Sequence, residues 1–405
     1  MKKLLYLSAS IALTFQLASC GGGTKNDDAV LKEIQEKLIN AKPGETIDLP
    51  EGKFSFTKGL SLEGVENVTL KGKGPDKTIF SFKNQTEGAQ GLGVKANGCT
   101  LEGFALEDAK GDAVKVQDSK NITFRNMRVA WTEGPKSTNG AYGLYPVTCD
   151  GVLIENCEVY GASDAGVYVG QSKNVIVRKN KVHHNVAGIE IENTTGAEVY
   201  ENETYENTGG ILVFDMPEVP VKNGRDVKVY NNNVHDNNLA NFGAPGNTVA
   251  LVPAGMGMLV MAYNNVELSG NKVHNNKTLG ICIASFLTSG KDYNDTLYNP
   301  YSYSISIHDN EILRKTAMPD TSRMIGKMLA GVFGTNIPDI IFDGFYDPAV
   351  VDAKNGVAPE NRICIRNNGD AKFANVDGPN GFKNVTTDAK PYDCSLEAVV
   401  KPSIQ

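Results

Sequence analysis

Short runs of alternating Val and Ile recur along this chain at intervals too regular for an ordinary sandwich. Val152-Leu153-Ile154-Glu155-Asn156-Cys157-Glu158-Val159 superimposes on Val175-Ile176-Val177-Arg178-Lys179-Asn180-Lys181-Val182 with one shift in the turn. The pattern returns at 197–204, 227–234, 266–273, 305–312 and 363–370. Between Leu101, Phe124, Ile154, Val177, Val199, Val229, Leu268 and Ile307 the steps are 23, 30, 23, 22, 30, 39 and 39 residues, a turn of 22 or 23 residues with insertions. Apolar positions spaced by two mark strands. A unit this small cannot bury its own apolar face, so the units must stack and share one interior, which favours a solenoid over a closed barrel.

One column sharpens this reading. The position three past the second inward residue holds Phe104, Met127, Cys157, Asn180, Asn202, Asn232, Asn271, Asn310 and Asn368. Asn tolerates the left-handed backbone of a tight corner, and amides stacked about 4.8 Å apart can bond along the stack. The spacing therefore predicts an asparagine ladder.

On these repeats and this ladder, residues 46–375 resemble the right-handed parallel β-helix repeat proteins of the pectin-lyase-like superfamily, and within it the bacterial lipoproteins called parallel β-helix repeat proteins. The resemblance implies an all-β, single-stranded right-handed parallel β-helix, with 313–360 as an irregular coil and 376–405 as a tail. It is weak for activity, because the fold hosts lyases, hydrolases, epimerases and non-catalytic proteins. Ahead of the stack, Asp27 to Asn40 reads as an amphipathic helix with an Asp cap and with Val30, Leu31, Ile34, Leu38 and Ile39 on one face. Such a helix, within a segment 27–45, can cover the open end of the stack. Thr321 to Leu329 reads as a second short helix.

The first 20 residues carry Lys2 and Lys3, an apolar stretch from Leu4 to Leu17, and Leu17-Ala18-Ser19-Cys20. This is the plan of a secretory signal, too short to remain as a membrane span. The last four residues resemble a lipobox, which implies that Cys20 is lipidated and becomes the new amino terminus, with 21–28 as a polar tether. An ordinary signal with an incidental Cys is the alternative. The expected location is a bacterial cell envelope, lipid-anchored at the outer membrane or cell surface. The whole chain carries 40 Lys and Arg against 47 Asp and Glu, a net charge of −7 without a basic cluster, which argues against nucleic acid as a partner.

A third strand precedes each repeat, and its outward column reads Gly93, Lys115, Tyr145, Tyr168, Glu190, Leu212, Leu259 and Cys282. Insertions at 130–141 and 236–256 enter this face, and 214–226 and 286–303 leave it, so loops are expected on both flanks of a trough. In β-helix polysaccharide enzymes the substrate generally lies here, and the resemblance implies a polysaccharide or oligosaccharide ligand. Glu190 and Glu192 are the candidate catalytic pair, since carboxylates two apart share one strand face and suit acid/base sugar chemistry. Glutamates on a solvated strand face also occur without any role. Tyr168 is suited to stacking on a sugar or to acid chemistry, and Tyr145 shares its column. Lys115 lies three rungs from Glu190, too far to serve the same bond. Asp164, on the turn into the Tyr168 strand, could join Glu190 or Glu192 around a calcium ion, a role carboxylate oxygens suit. Trp131 could form a sugar platform at the trough border or anchor its own loop.

His183, His235 and His274 share one repeat position, a register that explains them without a transition metal. Among the six cysteines after Cys20, joining Cys364 to Cys394 would fix the tail over the end of the stack, one choice among fifteen full pairings. The signatures of polygalacturonases and the Asp-Pro-His motif of mannuronan epimerases are missing, and no Arg stands in the main outward column. The residues leave open an enzyme (lyase, hydrolase or epimerase) or a non-catalytic binding or scaffold protein.

Overall fold

The computed structural model describes residues 27–352, 354 and 356–403, so Cys20 and the leader lie outside the described residues. Three long parallel sheets run the length of the molecule. The first has eleven strands from Thr46–Asp48 to Ile363–Arg366, the second ten from Gly52–Ser55 to Glu311–Leu313, and the third eleven from Lys58–Glu63 to Phe373–Asn375. Each strand pairs with its equivalents one coil away, so the chain winds as a parallel β-helix. The registers follow the repeat: Phe124 stands between Leu101 and Ile154, and Val177 between Ile154 and Val199. These inward residues are fully buried. Burying one such Val, Ile or Leu is worth roughly 1.5–3 kcal/mol, and the stack repeats that gain at every coil.

Corners are where a solenoid must satisfy backbone groups that the sheets leave unpaired. In the first corner, Asn180 Nδ2 donates to Asn202 Oδ1 at 2.9 Å, and the chain of amides continues through Asn232, Asn271, Asn310 and Asn368 at 2.9–3.0 Å. Each amide also serves the backbone: Asn202 Oδ1 accepts from the Asn180 N–H, and Asn202 Nδ2 donates to the Val177 carbonyl. The expected left-handed residue is not the ladder asparagine. It is the residue before it, with φ of 57° at Lys179, 55° at Glu201, 54° at Asn231 and 55° at Asp309. The ladder amide thus works by hydrogen bonding, and its neighbour takes the bend.

A second, unforeseen ladder turns the next corner. Asn185, Asn207, Asn237 and Asn276 are linked at 2.9–3.1 Å, again each after a left-handed residue. At the third corner hydroxyls replace amides: Ser119 Oγ accepts from Ala96 N, Ser172 Oγ from Cys149 N, and Thr194 Oγ1 from Ser172 N.

Helix α1 (Asp28–Ile39) covers the amino-terminal end through Leu31, Ile34 and Leu38, whereas Ile39 is 72% exposed and lies off the buried face. Asp27 does not cap the helix. Its Oδ2 accepts instead from the Ser55 N–H and ties the helix to the first coils. Helix α2 spans Met324–Phe333, later than expected, because Asp320 holds the preceding residues in a turn: Oδ1 accepts from Ser322 and Oδ2 from the Ala254 N–H. At the far end Cys364 and Cys394 form a disulfide, and the tail lies back across the first sheet, with the Val399 N–H on Glu267 and Lys401 3.6 Å from Glu198.

If the ladders set the register, Asn207→Ala should cost at least about 2 kcal/mol, since it strips partners from buried groups in two coils. Asn84→Ala, at an exposed amide, should change stability by less than about 0.5 kcal/mol. Urea unfolding of both variants tests this, and equal effects would contradict it.

Candidate functional site

The outer face of the third sheet carries the foreseen column in register: Gly93, Lys115, Tyr145, Tyr168, Glu190, Leu212, Leu259 and Cys282 succeed one another from coil to coil. The column two residues along runs Gly170, Glu192, Phe214, Met261, Ala284. Both columns change character after Glu190 and Glu192, from polar and aromatic to apolar.

The apolar half is not an open trough. The loop through 249–252, Phe286, Tyr298 and Leu329 of α2 pack onto Leu212, Met256, Leu259 and Cys282 and make a second hydrophobic core on the outside of the sheet. The inserted loops therefore lie down on the sheet where its outward residues are apolar, as burial favours. What stays open is a cavity of about 330 Å³ at the junction, lined by Asp164, Glu190, Glu192, Tyr142, Asn247 and the segment through Phe214, Met216 and Pro217.

Three carboxyls share this cavity, and each is buried or nearly so. Glu190 is 2% exposed and Asp164 5%. Burial, with the charges of Asp164 and Glu192 adding to it, holds the Glu190 carboxyl well above the usual carboxylate range. No hydrogen bond or cation favours its ionised form among the described residues. Burial and the neighbouring Glu192 push Asp164 up to about 7, against hydrogen bonds from Asn247 and Tyr142. Burial pushes Glu192 to about 7 too, opposed by a hydrogen bond from the Tyr168 hydroxyl. Three acids this close cannot all ionise, so near neutrality the site holds both a protonated carboxyl and a carboxylate. That combination can give and take a proton in one event.

The tyrosines form the wall beside the acids. Tyr142, Tyr145 and Tyr168 lie with ring centroids 4.5–4.9 Å apart, and the Lys115 ammonium stands 5.1 Å from the Tyr145 ring centre. Tyr168 is only 5% exposed, so its face is spent on its neighbours and is not free for a sugar, whereas Tyr145 is half-buried. Trp131 is not at the border. It is 4% exposed in the main core, and its indole N–H donates to the Ala109 carbonyl at 2.8 Å, which makes it the anchor of its own loop.

Several site residues escaped the sequence reading. Tyr142 and Asn247 line the cavity directly. Asp112 is raised to about 6 by burial despite Lys115, and Asp215 to about 7 by burial. Tyr142 opens the strand that carries Tyr145, a signal available in the repeat, while Asn247 comes from a loop with no register. The histidines stack as foreseen, with Tyr160, His183, Tyr205, His235 and His274 in successive coils. Among the described residues no group of three His, Cys, Asp or Glu side chains is arranged to hold a metal ion. The acids around Asp164, where calcium was expected to sit, are not such a group.

Carboxyls that titrate near 4 in the unfolded chain and near 7 in the folded one stabilise the fold below about pH 4 and lose that contribution as pH rises through 7. The melting temperature should therefore fall between about pH 5 and pH 8, and Asp164→Asn or Glu192→Gln should flatten the fall. Calorimetry at the two pH values checks this, and a flat or rising wild-type profile would contradict it.

Comparison with known proteins agrees with this architecture. A family model described as right handed beta helix region matches residues 112–288. Among solved structures, the Azotobacter vinelandii mannuronan C-5 epimerase AlgE4 A-module is similar, at 14% identity and a TM-score of 0.54, covering 79% of this chain and 91% of that one. The AlgE6 A-module of the same organism's mannuronan C-5 epimerase gives 18% identity and a TM-score of 0.50, covering 72% and 84%. A search of curated protein sequences found no match. At these identities the likeness concerns the fold, and the fold of this chain is the right-handed parallel β-helix.

Proposed function

We propose that this protein processes a polysaccharide by acid–base chemistry in the cavity of Asp164, Glu190 and Glu192. The observation that carries the reading is the placement of three carboxyls in one partly closed cavity, on the outer sheet face, with no cation among the described residues lining it. Glu190 serves as the proton donor, because it is the acid kept neutral most strongly. Asp164 and Glu192, each poised near neutrality, share the carboxylate that accepts a proton. Hydrolysis, β-elimination and epimerisation of a sugar all need that pair of roles, and the products decide among them. The similar structures named above are epimerases of a polysaccharide, which supports a carbohydrate substrate without fixing the reaction.

The substrate approaches along Lys115 and Tyr145, because the loops close the face on the Leu212 side. We also place the protein in a bacterial cell envelope, tethered through a lipid on Cys20. The leader residues up to Cys20 support this, and the Cys364–Cys394 bridge suits an oxidising compartment.

Incubation with a panel of polysaccharides, read by reducing ends, ultraviolet absorbance of unsaturated products and proton NMR, should find one substrate turned over fastest near neutral pH. Glu190→Gln should lower that turnover at least about 100-fold. Full activity in Glu190→Gln and Glu192→Gln would overturn the catalytic role of these acids, and binding without turnover would leave a non-catalytic binding or scaffold protein as the better account.

A further inference from the structure

Glu190 faces two spaces. One is the acid cavity. The other is a smaller apolar chamber of about 80 Å³ beneath the loops, lined by Leu212, Leu259, Met261, Ala284 and Leu251. The two share Glu190, Phe214, Thr248 and Val249 as a common partition. On a scale where one water needs roughly 10–15 Å³, the chamber has room for a few heavy atoms, about a quarter of the space next door. An apolar chamber of this size has little to offer a hydroxyl-rich ring, because the ring's hydroxyls would lose water without gaining partners. It suits a short hydrocarbon group carried by such a ring.

We propose that the two spaces form one composite site for a sugar bearing a small acyl ester, with the ring among the carboxyls and the acyl methyl in the apolar chamber. The partition between them has the right chemistry for the ester linkage. A neutral Glu190 carboxyl can donate a hydrogen bond to the ester carbonyl, which an ionised one cannot. Thr248, Thr288 and Ser289 add hydroxyls to the chamber's lining, and apart from these and Glu190 the walls are apolar. This rests on the carbohydrate reading of the acid cavity and adds the substituent that selects among carbohydrates.

The test uses the full chain and a panel of polysaccharides, each in its natively O-acetylated form and after mild alkaline removal of the acetyl groups. Affinity is measured by calorimetry. The expected result is at least tenfold tighter binding of the acetylated form of the recognised polymer. Ala284→Phe, which fills the chamber from its floor, should abolish that preference while the deacetylated polymer binds as before. Leu251→Trp, at the half-exposed rim, serves the same purpose without entering the sheet face. Equal affinity for both forms, or a preference that survives both substitutions, overturns the acyl chamber and leaves the carbohydrate reading standing. Failure of every polymer in both forms overturns the carbohydrate reading and the chamber with it.

Discussion

The unpaired backbone at each corner is the constraint on which the rest depends. A parallel β-helix turns three corners per coil, and every turn breaks the sheet pairing that would otherwise satisfy N–H and carbonyl groups. Here two asparagine ladders and a set of Ser and Thr hydroxyls close that gap from coil to coil. Because each amide must meet its counterpart one coil away, insertions can enter only between strands, as the steps of 30 and 39 residues do. The ladders thus hold the register, and the register lines up the outward side chains in columns.

Those columns explain why three acids meet. Tyr168, Glu190 and Leu212 are neighbours across sheet pairings, and Asp164 immediately precedes the strand of Tyr168. The loops then decide solvent access. They pack where the columns are apolar and stop where the columns become acidic, so the carboxyls sit at the margin of the second hydrophobic core. Burying uncompensated acids costs stability at neutral pH, and a scaffold with a long repetitive core can tolerate that cost at one place. The raised affinity for protons is the chemical return.

Much of this was legible in the chain. The repeat disclosed the fold, and the column holding Tyr168 and Glu190 disclosed one wall of the cavity, because strand periodicity translates directly into facing. The second ladder at Asn185, Asn207, Asn237 and Asn276 follows the same increments as the first and was open to the same reading. Other features depend on tertiary packing that no periodicity encodes. Trp131 turns inward because a carbonyl at Ala109 is there to meet it. Ile39, the last residue of α1, stays outside because it lies off the face that buries Leu31, Ile34 and Leu38. The closure of the trough depends on where loop residues such as Val249 and Phe286 settle, and Asn247 reaches Asp164 only through that closure.

The protonation of Glu190 is the point on which the chemistry turns. Side-chain carboxyl carbons followed by NMR through a pH titration of wild type and Glu190→Gln read it directly. A carboxyl signal that stays in its protonated position at neutral pH and disappears in the variant is the outcome this account requires. A spectrum in which every glutamate has ionised by about pH 5, as free glutamates do, would contradict it.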